Sequence, residues 1–554
     1  MLHVLVLFAA LAQSLQPPQQ QPQPSQPAAA GTATIRGHVF AADTGQPLRK
    51  AQVRITANEI RENRVATTDT DGKYEFTEVR PGRYTVSASK GSYVNTSYGQ
   101  QRPTDVPKPV EILDRQTVER LDLSLPRGSV VTGRIVDEFG EPMPDVQVAA
   151  QRYQFIQSRR QLVPAGRPAF TNDLGEFRMF SIPPGQYLLT ATWRNPGTMN
   201  PNNGGPMERI AFPPTYFPGT TDIAQAQRVT LRVGQQLDGV ALMMKSVKAA
   251  RVSGTVTGAD GKPMAPAMLM VMQGDGFNVT MTSGGQVKPD GTFSVAGLAP
   301  GTYTLRAQRM GPSPNGPETA TASLTLNGDD VSDVRLMAAE PTIATGRIVV
   351  DPAAAQQLPP TIMLGLFPVS MNLLAGPPPP PTRVADDLTF ELKSTPGQWR
   401  VMLGGFGPSP AGWSIRAVRL NGIDVTDTGI DFKPGSEITG LEIEITNKVA
   451  SVSGLVTDSR DQPSTQYTAI VFSQDKDKWT SSPRYQAVCR ADQEGRFKVS
   501  GLPAGDYYIV AVDRFEPGQQ GDPDFLESVR ASAKSFSLMD GETKTVDLKL
   551  TTGM

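Results

Sequence analysis

Apolar side chains recur at every second position along most of this chain, and glycine interrupts the alternation at regular places. The clearest stretch is Asp71-Gly72-Lys73-Tyr74-Glu75-Phe76, followed by Val79, Pro81-Gly82 and Tyr84-Thr85-Val86-Ser87-Ala88. Tyr74 and Phe76 alternate with charged residues, the period of a strand with one buried face. Asp-Gly supplies the positive φ of a tight turn. Pro-Gly makes the next turn, proline presetting φ and glycine taking the unusual torsion. Two strands and two turns are predicted from this short segment alone. Helical periodicity is almost absent; one exception is Asp522 to Arg530, where Asp522 can cap and Pro523 suits a first turn.

The same unit is written again at Leu174-Gly175-Glu176-Phe177 with Pro184-Gly185 and Tyr187, at Asp290-Gly291-Thr292-Phe293 with Pro300-Gly301 and Tyr303, and at Glu494-Gly495-Arg496-Phe497 with Ala504-Gly505 and Tyr507. In these copies the two glycines keep one spacing and an aromatic follows the second by two. A further copy is degenerate: Asp387 replaces the first glycine, while Phe390, Pro396-Gly397 and Trp399 hold the register. Each unit opens on a strand such as Ile35-Arg36-Gly37-His38-Val39 or Val252-Ser253-Gly254-Thr255-Val256 and closes on two more. Many short strands joined by glycine and proline turns are the pattern of a β-sandwich.

The predicted fold is therefore all-β: five tandem seven-stranded, Ig-like or transthyretin-like sandwiches in an elongated array. The repeats are drawn at 32–126, 127–246 (with a long aromatic insertion), 247–339, 340–447 (the degenerate copy) and 448–554. Ahead of them, Val4 to Ala12 is an apolar run ending in the small-x-small site Ala10-Leu11-Ala12, so 1–12 reads as a secretory signal peptide. Residues 13–31 alternate glutamine and proline and read as an extended tether.

The opening Gly-x-Val, the Gly-x-Pro turn and the Asp-Gly-x-Phe … Leu-x-Pro-Gly-x-Tyr core resemble the carboxypeptidase regulatory-like domain, a transthyretin-like (prealbumin-like) sandwich. The multi-repeat layout is similar to exported acidobacterial proteins. The resemblance implies an accessory role beside peptidases, receptors or adhesins, and it brings no catalytic residue. The peptidase named with this family holds zinc through His-x-x-Glu and a second histidine, and that pair is missing here.

Composition narrows the chemistry. Basic and acidic side chains number 53 and 54, which argues against a general nucleic-acid binder. One cysteine, Cys489, cannot form an internal disulfide, so packed cores must supply stability. There are two histidines, His3 and His38, and the first goes with the leader. No two-His zinc site can then form, and any histidine-dependent nucleophile would have to use His38. Asp69-Thr70-Asp71-Gly72 begins like a calcium loop but lacks the later ligands, and reads as a hairpin turn. No metal or cofactor site is expected. No membrane-spanning segment is expected either.

Candidate ligand contacts are the aromatics of the repeat-two insertion, Trp193, Phe212, Tyr216 and Phe217, together with Trp479 and Tyr485 of repeat five. Aromatic faces on proline-stiffened loops can stack on sugar rings or anchor a protein; the competing reading of the insertion is a satellite cluster covering the sandwich end. Arg152-Tyr153-Gln154-Phe155 mixes basic and aromatic residues, but Tyr153 and Phe155 share a strand face and are expected in the core. The leading expectation is a non-catalytic, exported binding or scaffold protein of the cell envelope (periplasmic, surface-bound or secreted), with a glycan or an envelope protein as partner. The alternatives are an adhesion or spacer protein without a soluble ligand, and a glycan-active hydrolase with an unrecognised carboxylate pair. Oligomeric state stays open.

Overall fold

The computed structural model describes residues 31–57, 60, 62–102, 105–156, 159–193, 210–273, 280–310, 318–369, 378–405, 410, 412–481 and 483–552. The expected leader, all but the last residue of the tether, and positions 194–209 of the insertion lie outside them. The described residues are overwhelmingly strand, as the alternation predicts. Their main hydrophobic cores fall within Ala33–Leu125, Val131–Met244, Ala250–Ala338, Ala344–Ile445 and Ala450–Leu548, each inside one sequence-drawn repeat.

One plan recurs. The opening strand lies between the strand after the first turn, antiparallel to it, and the last strand, parallel to it. In repeat two, Ser129–Val136 sits between Glu176–Ile182 and Gln236–Met243. The second sheet centres on a long antiparallel pair, there Val146–Ile156 with Gly185–Trp193. The glycine of the opening strand is required by a close approach: a Cβ on Gly254 would meet the Val334 carbonyl oxygen at 1.8 Å.

The Pro-Gly step is a corner and not a hairpin turn. Lys73–Val79 pairs with the opening strand in one sheet, whereas Gly82–Ser89 pairs with Gln52–Ala57 in the other. At every corner the aromatic after the glycine is buried and bonds back to the carbonyl four residues earlier. The Tyr187, Tyr303 and Tyr507 hydroxyls donate to Pro183, Ala299 and Pro503 at 2.7, 2.8 and 2.7 Å. In repeat one Tyr84 donates to Arg80 O at 2.9 Å, and in the degenerate copy Trp399 Nε1 does the same to Thr395 O at 3.0 Å. The expected helix forms as Pro523–Arg530, with the Asp522 carboxylate accepting from the Asp524 N–H at 3.0 Å.

The repeats do not continue in a line, which corrects the elongated array. Their links are tied down: Arg127 bridges to Tyr93, and Ile210–Ala211 pairs with Val247–Lys248 at the start of repeat three. Repeat five rests on repeat four through Arg484, whose guanidinium meets Asp427 at 2.8 Å. It also reaches back to the start of the chain. Arg490 donates to Gly99 O of repeat one at 3.2 Å, and Gln154 of repeat two donates to Pro517 O at 3.4 Å. Gly518 lies so close to repeat two that a Cβ there would meet Phe155 O at 2.1 Å. Val106 of repeat one packs on a second apolar cluster of repeat five, formed by Ile470, Phe472, Trp479, Leu526 and Val529. Sequence reasoning extended short links into a rod because nothing in a repeat's own alternation encodes contact with a distant repeat.

Candidate functional site

The return of repeat five creates a cleft of about 720 Å³ that no single sandwich has. Its floor is the outer face of the second sheet of repeat two, its roof Glu516, Pro517 and Gln519 of repeat five, and one wall Gln101 and Arg102 of repeat one. Strand parity explains the floor. Val146, Val148 and Ala150 point into the core, so Gln151, Tyr153 and Phe155 point away from it. The expectation that Tyr153 and Phe155 lie in the core is therefore corrected: they do share a face, but the outward one. The even-numbered apolar residues just before them carry this signal in the sequence.

Arginines dominate the charge. Arg152, Arg160 and Arg228 join Arg102 in the lining, against the single carboxylate of Glu516. The Arg160 and Arg228 guanidiniums lie 4.8 and 5.8 Å from the centre of the Tyr153 ring. Such cation–π contacts hold the two long side chains over the floor.

Of the predicted aromatics, Tyr216 comes nearest this face. It pairs with Thr190, whose hydroxyl bonds Gln151 on the cleft floor at 2.8 Å, and burial raises its hydroxyl pKa, with Tyr153 adding to the shift. Trp193, Phe212 and Phe217 are half-buried and pack on the end of the repeat-two core, Trp193 and Phe212 edge to face at 5.4 Å. Trp479 is 3% exposed, with its indole N–H donating to Ser473 O at 2.7 Å and its ring edge-on to Phe472. Its ring has no face for a ligand, because helix Pro523–Arg530 and the sheet of repeat five enclose it. Tyr485 is half-buried beside Tyr507, under Lys478 and Arg484 at 4.7 and 4.9 Å.

The other sequence candidates have structural roles. Asp69 Oδ1 accepts from the Asp71 and Lys73 N–H groups at 2.9 and 2.8 Å, so the calcium-like stretch is a capped turn. Hydrogen bonds from the side chain and backbone of Thr389 hold the Asp387 carboxyl below its ordinary range. Asp290 is lowered likewise by Thr292. A general acid requires the opposite shift. His38 stacks on Phe40 and approaches Asp122 at 3.3 Å. Among the described residues no group of three or more His, Cys, Asp or Glu is placed to hold a metal, and no helix is long and apolar enough to cross a membrane.

Residues 34–125 and 251–337 match the profile of the carboxypeptidase regulatory-like domain. These spans are repeats one and three. The match covers well under half of the chain. A comparison with curated proteins gives no match. Among solved structures, a streptococcal ancillary pilin is similar over 55% of this chain and 98% of its own, at 17% identity and a TM-score of 0.20. The Bacillus anthracis TIE protein aligns over 76% and 73%, at 10% identity and 0.16. BcpA, the major pilin subunit of Bacillus cereus, aligns over 55% and 99%, at 11% and 0.14. At such TM-scores these likenesses carry nothing about function.

Proposed function

We propose that this chain is an exported, non-catalytic binding scaffold of the cell envelope, and that its ligand is a glycan held where repeats one, two and five meet. The observation that carries the reading is the cleft itself: a concave, polar and partly aromatic surface that exists only because distant repeats close on each other. Concave sites with a few convergent polar groups are where ligands bind. The composition supports a binding role over a catalytic one, since only two histidines are present and the carboxylates in the repeat turns serve as caps. Export rests on the leader-like N-terminus, and the final location among periplasm, surface and medium belongs to the same proposal.

The test is binding of residues 32–554 to a panel of soluble and insoluble glycans, beside a Gly518→Ala variant that pushes repeat five off Phe155. Saturable binding to any glycan that weakens in the variant supports the reading. Absence of binding across the panel rejects it and leaves the spacer or adhesion role, which needs no soluble ligand.

A further inference from the structure

The chain as a whole is balanced in charge, but the cleft is not. Several arginines elsewhere sit against carboxylates: Arg36 with Glu75, Arg80 with Glu62, Arg416 with Glu444 and Asp540, Arg484 with Asp427. Arg102, Arg160 and Arg228 line one space with no ion-pair partner among the described residues, Arg152 borders it from the opposite strand face beside Tyr187, and Glu516 is the one acid in the lining. Bringing three guanidiniums together raises the local potential unless an anion enters. Tyr153 acts here as a positioning residue, holding Arg160 and Arg228 over the floor.

We propose that the cleft takes an acidic glycan, a short run of sugars bearing carboxylates of the uronic-acid kind. This rests on the glycan-binding reading above and names the ligand class for the same site. Guanidiniums meet carboxylates as charge-assisted, two-pronged donors. Between the charges, amide side chains arrive from all three repeats, Gln101, Gln186 and Gln519. Amides both donate and accept, as sugar hydroxyls do. An acidic peptide fits less well, because its backbone N–H groups would need acceptors and the lining is rich in donors. A nucleic acid would need open aromatic faces for its bases, whereas the Tyr153 ring is already engaged by two guanidiniums.

The experiment is calorimetric titration of residues 32–554 with hexagalacturonate, maltohexaose and hexaglutamate at two salt concentrations. The same titrations are run on Arg160→Gln, Arg228→Gln and, as a control outside the cleft, Arg36→Gln. Arg160 and Arg228 are exposed and have no ion pair among the described residues, so the glutamine variants should keep the parent unfolding temperature, which is checked first. The expected result is saturable binding of hexagalacturonate alone, weakened about tenfold by each cleft substitution, weakened by salt and unchanged in Arg36→Gln. Equal binding of hexaglutamate would overturn the sugar assignment and leave a site for any polyanion. Equal or better binding of maltohexaose would overturn the acidic assignment while keeping the glycan reading. Failure of all three probes, with no other glycan bound in the panel, would take both down. Loss in Arg36→Gln as large as in the cleft variants would place the charge effect outside the cleft and overturn the site.

Discussion

The residue two places after the corner glycine needs both bulk and a donor. Tyr84, Tyr187, Tyr303 and Tyr507 supply a hydroxyl, and Trp399 supplies an indole N–H to the same carbonyl position in the degenerate copy. A buried carbonyl left without its donor costs about 1–3 kcal/mol. Tyr303→Phe should therefore destabilise repeat three by about 1–2 kcal/mol in urea denaturation, with little change in its core volume. Burial also pushes the Tyr303 and Tyr507 hydroxyls well above the ordinary tyrosine value. Both must be neutral in the folded protein. Their contribution is complete below about pH 10, where unfolded tyrosine begins to ionise, and is lost as pH rises from there toward the raised folded value. A stability profile by denaturant midpoint should accordingly be flat near neutrality and fall above that pH. Cys489 gives a separate reading of repeat five: burial pushes its thiol up to about 12. It should stay unreactive toward a thiol reagent at pH 8 and react only when repeat five unfolds.

Elements were the level most legible in the sequence. Alternation and turn glycines located the strands around Tyr74, Phe177, Phe293 and Phe497, and the cap at Asp522 located a helix of two turns. What alternation alone did not assign was which sheet each strand joins, so the Pro-Gly turn could be placed in the sequence but not recognised as a corner between sheets. The parity of Val146, Val148 and Ala150 was available and would have turned Tyr153 outward. Trp479 was beyond reach, because the cluster that buries it is built from a strand, a helix and the neighbouring repeat one. Gly518 carries a prediction at this scale. It holds φ at 100° and has no room for a side chain against Phe155, so Gly518→Ala adds about 1 kcal/mol of local strain and separates repeat five from repeat two. Hydrogen exchange should then quicken at the amides of Arg159–Pro164, the strand on the cleft side of Val146–Ile156, while the core of repeat five keeps its protection.

Across the whole molecule, the proposed function depends on closure. The seam between repeats one and five is not optimised for strength: Lys108 and Arg490 are both buried there, burial and mutual repulsion lower the lysine, and burial lowers the arginine. A buried like-charged pair opposes the contact it sits in. Lys108→Met should therefore tighten the seam by about 1 kcal/mol, seen as a higher first unfolding midpoint by calorimetry.

The most direct measurement is small-angle X-ray scattering from residues 32–554. With each sandwich treated as a body of radius of gyration about 13 Å, five closed on one another give about 30 Å for the whole and five in a line about 50 Å. The account predicts the smaller value in the parent and an increase in Gly518→Ala. A parent value near the larger figure, unchanged by that substitution, would mean that repeat five does not return to repeats one and two, and the cleft would not exist in solution.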